Sequence, residues 1–367
     1  MESFYYPDAT RNRRSSPALM SNRDHVGASS PGHIETLFAT PEWFGIWSDT
    51  FGQENYSVWR PAGGRQDLAI PCCRQHIKIA GLSLPIVRGA ANHYTPRYDV
   101  IAESDESIDL DRILGDLNVP CVEFNGVSEH SRLVRGMDGH GLLWPAQLDT
   151  FERAPFIDCT LDWDSYWAGR GKNTRSKLRS IERKLQQSQV EVVRLEDWKD
   201  IDPLRQTLYD VEASGWKGRQ GTAMAQSESV KAFYDRLMYE FSKRGFLRVF
   251  VLKVDGEVIA FELTTLYRGV LSSLKVGFRE SHADFSPGQI LRYRFLPWAF
   301  AEPGVLFYDM LGPWSETKMW WATGVETLLT VRAFRRSLGG GLCRARFVTG
   351  PRLKRYLGKA ATHSKPA

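Results

Sequence analysis

The sequence predicts an α/β (α+β) chain built as two tandem lobes, each a mixed, mainly antiparallel sheet flanked by helices. Three observations predict it. Residues 246–278 hold three apolar runs, Phe246–Val254, Glu257–Leu266 and Val270–Phe278, separated by Asp255-Gly256 and Arg268-Gly269, the pattern of a tightly turned meander. A turn at Ser286-Pro287-Gly288 then opens a run, Gln289–Ala301, with Ile290, Leu291, Phe295 and Trp298 at helical spacing, and an apolar run Val305–Leu311 follows. Residues 40–124 offer a related series of helix, hairpin, strand pair, helix and strand.

Composition permits this size of fold. The 367 residues are 42% hydrophobic, enough for two packed domains, and a net charge of +5 does not by itself point to nucleic acid. The five cysteines form no CxxC pair, and adjacent Cys72-Cys73 is a poor spacing for a metal or a disulfide. Reduced thiols, no metal and a cytoplasmic location are therefore expected. No run approaches the roughly 20 apolar residues of a membrane-spanning helix, and the N-terminus has no apolar signal segment.

In chain order, residues 1–32 are rich in Arg, Ser, Asn and Pro and read as a disordered basic tail. The first lobe is placed at residues 33–155. Thr40-Pro41-Glu42 starts a helix carrying Trp43, Phe44, Trp47 and Phe51. Strands are expected at Tyr56–Arg60, Asp67–Ile77, Leu82–Val87 and Tyr98–Ala102, a helix at Ile108–Leu114 and a strand at Cys121–Phe124. His93, Tyr94, Arg97 and Tyr98 can line a cleft or belong to loop and core. The turn-rich stretch Asp138–Asp158 reads as the link between lobes.

The second lobe, 156–367, opens with a helix from Trp163 to Gln189. Leu178, Ile181 and Leu185 share one face, and Lys172, Arg175, Arg179 and Arg183 share another. Seven basic residues stand between Arg170 and Lys184 against the single acid Glu182. They make either a solvated face or a place where Arg175 and Arg179 meet phosphate. A strand Glu191–Arg194 and a helix Ile201–Ser214 precede Trp216-Lys217-Gly218-Arg219-Gln220-Gly221, a flexible loop with an aromatic anchor. Ser227 caps a helix whose Val230, Phe233, Tyr234, Leu237, Met238 and Phe241 form a core stripe. In the meander, Glu262 lies among apolar residues. A buried carboxylate needs a partner or becomes a base with a raised pKa, and Lys275 presents the same choice. Ser286 can cap the next helix and Pro287 suits its first turn. The open amides and partial positive charge of such a start hold phosphate, and Gly288 admits a ligand to the backbone. Many helices begin this way with nothing bound. Leu328–Phe334 closes the sheet.

Four stretches resemble the CelD-like, FemAB-related branch of the GNAT acyltransferase superfamily. They are Gly171-Lys172-Asn173-Thr174-Arg175-Ser176-Lys177-Leu178-Arg179, Ser214-Gly215-Trp216-Lys217-Gly218, Phe285-Ser286-Pro287-Gly288-Gln289-Ile290-Leu291, and Tyr308-Asp309-Met310-Leu311-Gly312 with Lys318 following. The likeness covers residues 155–335 well and the earlier part weakly. It implies acyl-CoA as co-substrate, its pyrophosphate held by Ser286, Gly288, Gln289 and Ile290 with Arg175 and Arg179 nearby. It implies Trp216, Lys217, Lys275 and Tyr308 on the acceptor side, Asp309 or Glu262 as base, and Lys318 neutralising negative charge on the acceptor or the carbonyl oxygen. The activity so implied is N-acyl transfer to an amine or glycan-precursor acceptor, in polysaccharide, cell-envelope or secondary-metabolite biosynthesis, in the cytoplasm or at the periphery of the inner membrane. Two alternatives stand beside it. One is aminoacyl-tRNA-dependent transfer to a peptidoglycan precursor, against which no long charged helical-hairpin insertion is found in the second lobe. The other is a non-catalytic scaffold in polysaccharide export.

Overall fold

A computed structural model describes residues 35–52, 55–61, 68–102, 108–135, 143–221 and 223–350, with only the backbone of 143, 145, 146, 216 and 217. The tail expected at residues 1–32 lies outside them.

Local chemistry sets the starts and turns. Thr40 accepts a hydrogen bond from the Trp43 amide (3.2 Å) and opens the helix Pro41–Phe51. Ser227 does the same for Glu228–Lys243, whose expected stripe is buried. Asp255 and Gly256 both have positive φ (51° and 84°), so the hairpin turns in the sense that matches strand twist.

Among the described residues eleven strands result: β1 Tyr56–Trp59, β2 Ile70–Ile79, β3 Leu82–Gly89, β4 Cys121–Ser128, β5 Leu143–Asp158, β6 Val190–Leu195, β7 Leu247–Val254, β8 Glu257–Tyr267, β9 Val270–Phe278, β10 Phe307–Asp309 and β11 Gly324–Arg335. They form one sheet in the order β1-β2-β3-β4-β11-β5-β10-β9-β8-β7-β6. Only β3/β4 and β9/β10 pair parallel; the other neighbours are antiparallel. Each half thus repeats one plan: a meander (β1–β3, β7–β9), then a crossover through a helix to a parallel strand. The helices Pro41–Phe51, Arg205–Ala213 and Glu228–Lys243 share one core cluster, and Trp163–Ala168, Lys172–Lys184 and Pro287–Ala301 share another.

Several elements differ from the expectation. The stretch read as a link is, from Leu143 on, a strand paired to both β10 and β11. Pro145 and Pro155 read as turn signals, but Pro155 keeps its carbonyl as acceptor for the Met310 amide (3.3 Å); Gly139 and Gly141 lie outside the described residues. The long helix from Trp163 is broken at Gly169–Gly171 and ends at Lys184. Residues 98–102 form no strand, only a bridge between Ala69 and Ile101. Trp216–Arg219 is a short helical turn rather than an open loop. Ser286 takes a left-handed conformation (φ 46°, ψ 57°) and gives no side-chain cap.

Candidate active site

The sheet opens where β10 ends. β10 pairs with β9 over three residues only, Phe307 with Val270, Tyr308 with Leu271 and Asp309 with Ser272. β9 runs on to Phe278, so its Ser273–Phe278 edge has no strand partner on that side among the described residues. Leu263 pairs with Lys275 and Thr264 with Ser273, which leaves Leu274 as a bulge and bends β9 away. The result is a wedge between two parallel strands, with the helix Pro287–Ala301 starting beside it.

Two buried ion networks flank the wedge. On the face covered by that helix, the Glu262 carboxylate is fully buried. It accepts from Arg292 Nη2 (3.2 Å to each oxygen), from Ser273 Oγ (2.5 Å) and from the Tyr308 hydroxyl. Arg292 Nε also donates to Tyr308 Oη (3.0 Å). On the opposite face, Asp309 Oδ2 accepts from Arg97 Nε (2.5 Å), and Asp309 Oδ1 from the Leu311 amide (3.0 Å). Arg97 Nη1 reaches Glu326 (2.5 Å), whose other oxygen accepts from Ser128 Oγ (2.5 Å). Glu262 and Asp309, expected as bases, thus have their oxygens occupied by arginines and their own local donors. Tyr308, expected on the acceptor side, is fully buried inside the first network.

Lys318 lies at the mouth of the wedge. Its ammonium donates to the carbonyl of Leu311 and to that of Pro313 (3.0 Å). Burial, helped by the charge of Arg292, lowers its pKa to about 8, against the pull of Glu152, Asp309 and Glu262. The loop that carries it is stapled down by Trp321, a fully buried residue whose indole donates to Gln289 Oε1 (2.6 Å). The Trp321 carbonyl accepts from the Tyr166 hydroxyl (2.6 Å), and Arg170 donates to the Ala322 carbonyl (2.7 Å).

At the helix start, the Ser286 carbonyl accepts from the amides of Gln289 (2.8 Å) and Ile290 (3.2 Å). Pro287 has no N–H, so Gly288 offers the open donor of the first turn. No acid sits in that turn, and a Cβ added at Gly288 would make only an ordinary contact, 3.6 Å from Val276 Cγ1. Ile290 is fully buried, so only its backbone belongs to the start. The helix Lys172–Lys184 packs alongside in the same direction: Lys177 lies over the Trp320 ring (5.4 Å), next to the residue held by Gln289, while Glu182 pairs with Arg294 (2.7 Å) further along. Arg175 is half-buried on this helix, and its Nε has no partner among the described residues; Arg179 is exposed.

Two expectations fall elsewhere. Lys275 pairs with Glu212 Oε1 (3.5 Å) between the rings of Tyr94 and Tyr234. It shares a face with its pair partner Leu263, opposite to Val276 and Gly288. The side chains of Trp216 and Lys217 lie outside the described residues. Sequence reasoning missed Arg292, Trp321 and Glu152 altogether, and left Arg97 undecided between cleft and core. Arg292 could have been found: it lies on the helix face of Phe295 and Ala299, where a cation needs a buried acid.

Residues 172–319 match the acetyltransferase (GNAT) domain family. No curated protein matches the chain in sequence. Among solved structures, FemX superposes with a TM-score of 0.51 at 10% identity, covering 83% of this chain and 93% of that one. A conserved protein of unknown function from Bacteroides thetaiotaomicron gives 0.51 at 12%, over 80% and 90%. The C-terminal domain of a putative lysylphosphatidylglycerol synthetase from Agrobacterium fabrum gives 0.50 at 12%, over 83% and 91%. Such identities speak to fold alone. The stretch from the basic helix to the Lys318 loop thus matches a GNAT acetyltransferase domain in sequence, and the chain as a whole is similar in fold to these three structures.

Proposed function

We propose that the protein transfers an acyl group from acyl-CoA to an amine, with residues 156–367 as the transferase lobe and 33–155 as the lobe that shapes the acceptor side. The observation that carries this reading is the wedge between β9 and β10, with an acid-free helix start on one side and the Lys318 ammonium at its mouth. Backbone groups at such a splay can align a thioester. The Gly288 amide and the positive end of the helix favour its diphosphate, and Arg175 and Arg179 lie on the neighbouring basic helix. Lys318 then meets the negative charge that develops on the carbonyl oxygen. Asp309 and Glu262 are structural in this reading, because buried arginines and local donors occupy their oxygens. The four stretches quoted above support a CelD-like, FemAB-related relationship, and with it a glycan-precursor or other cell-envelope amine as acceptor.

Gly288→Asp tests the donor site. An acid in the first turn favours the helix, so the fold should hold, while acetyl-CoA binding by calorimetry should weaken about tenfold or more. Unchanged binding would remove the helix start from the site.

One observation favours a second reading, transfer from aminoacyl-tRNA. A first turn with a single open amide is a thin hold for a diphosphate, whereas Lys172, Lys177, Arg179, Arg183 and Lys184 are all exposed on one helix. Filter binding of tRNA that weakens steeply with salt, together with no acetyl-CoA binding, would select it.

A further inference from the structure

We propose that Glu152 of β5 is the group that takes the proton from the acceptor amine; this rests on the transferase reading above. Asp309 pairs with Phe156 and Glu326 with Ala154, and strand alternation puts Glu152 on the same face as those residues. Beyond Asp309 β10 leaves the sheet, and on that side β5 runs on to Glu152 without a strand partner among the described residues, within reach of the charges of Asp309 and Lys318. Every other buried carboxylate around the wedge is engaged: Asp309 and Glu326 by Arg97, Glu262 by Arg292, Glu212 by Lys275. Glu152 is half-buried and makes no ion pair or hydrogen bond with the described residues. It is the carboxylate left to do chemistry.

Its surroundings suit the task. Burial raises its pKa; Lys318 and Arg97 pull it down and Asp309 pushes it further up, with a net rise. The charged groups acting on this pair are therefore Arg97 from the segment after β3, Asp309 at the end of β10, Glu326 on β11 through Arg97, and Arg292 and Glu262 beyond Lys318. A carboxylate raised in this way accepts a proton more readily from an ammonium, and an ammonium beside it stays charged to hold an oxyanion.

Glu152 takes one proton from the ammonium and frees the nitrogen lone pair. The nitrogen attacks the thioester carbon, and the carbonyl oxygen gains negative charge beside Lys318. The C–N bond is complete as the C–S bond breaks, and the second nitrogen proton leaves with the sulfur as a thiol. Glu152 then returns its proton to water.

Two measurements on the full chain test this. In the first, Lys318 is titrated by trace labelling with acetic anhydride, read by peptide mass spectrometry. Its midpoint should lie near 8 in the wild type and lower in Glu152→Gln, because the neighbouring negative charge is gone. In the second, transfer from acetyl-CoA to a set of primary amines is followed across pH. Glu152→Gln should lose about a hundredfold in kcat with little change in KM for acetyl-CoA, and should lose the acid limb of the rate profile. Glu152→Asp should recover part of the rate. A Lys318 midpoint that does not move, or a Glu152→Gln protein with wild-type kcat and profile, overturns the role of Glu152 and leaves the transferase reading standing. A wild type that binds no acetyl-CoA and acylates no amine overturns the transferase reading, and Glu152's role falls with it.

Discussion

Between β3 and β4 the chain crosses over through the helix Leu110–Leu117, and between β9 and β10 through the helix Pro287–Ala301; both crossovers end in a short parallel pairing. The first helix starts under acid. Asp109 accepts from the Arg112 amide (3.2 Å), and Asp111 lies in the first turn. The second starts with a left-handed Ser286, no side-chain cap and no acid. Equal topology therefore gives unequal chemistry. A carboxylate seals the positive end of the first helix against any anion, while the second leaves its end to a ligand. The loops differ as well. The segment after β3 folds over the sheet, so that Arg97 bridges Asp309 and Glu326 in the other half. The sealed crossover lends its loop to the open one.

The largest expected effect follows from that bridge. Arg97→Ala leaves Asp309 and Glu326 buried (each 2% exposed) without their cation, and should cost about 3–5 kcal/mol by urea denaturation. Burial alone would raise the Glu326 pKa, yet Arg97 and Ser128 hold it below the usual value, so this network favours folding above that value and loses strength as pH falls through the lowered one. A loss under about 1 kcal/mol at neutral pH would mean that the loop merely lies on the wedge and does not tie the halves together.

The open crossover should behave in the opposite sense. Lys318 has a folded pKa of about 8 and an ordinary one of 10.5, so folding opposes its charge. The penalty is fully present below about 8 and fades as pH rises towards 10.5, where the unfolded chain also loses the proton. Lys318→Met should therefore raise stability at pH 7 by about 1–2 kcal/mol, less than the full shift because the Leu311 and Pro313 carbonyls lose their donor. The gain should shrink between pH 8 and 10.5, while transfer activity is lost at every pH. A stability loss at pH 7 would show that the ammonium anchors its loop more than it strains it.

What could be read from the sequence was local. The Asp255-Gly256 turn, the Thr40 and Ser227 caps, the stripe from Val230 to Phe241 and the helix behind Pro287 each depend on residues within a few positions. The strand β5 was hidden because its partners, β10 and β11, come more than a hundred residues later, and its prolines looked like turns. The site followed the same rule. The helix start is legible in Ser286-Pro287-Gly288 before a helical run, while Lys318 is marked only by the resemblance. Glu262 stands out in the sequence by its apolar neighbours, and Asp309 only through the resemblance. Their arginines lie 30 and 212 positions away, so their pairing was invisible. Glu152 gives no signal in the sequence, because Asp309 and Lys318, whose charges reach it, lie more than 150 residues further along the chain.

The smallest expected effect isolates the difference between the two helix starts. Asp109→Ala removes a working cap and should cost about 1 kcal/mol. Ser286→Ala removes a hydroxyl that caps nothing, and alanine meets the same left-handed backbone, so the cost should stay within a few tenths of a kcal/mol. The order reverses for ligand. Asp109→Ala should leave acetyl-CoA binding unchanged, because that helix has only eight residues and keeps Asp111. Ser286→Asp, which copies the sealed start onto the open one, should weaken binding about tenfold while stability changes by less than 1 kcal/mol. Paired denaturation and calorimetry on these variants would read both quantities. If Asp109→Ala and Ser286→Ala cost the same, or if Ser286→Asp binds acetyl-CoA as the wild type does, the contrast between a sealed and an open crossover does not explain where the site lies.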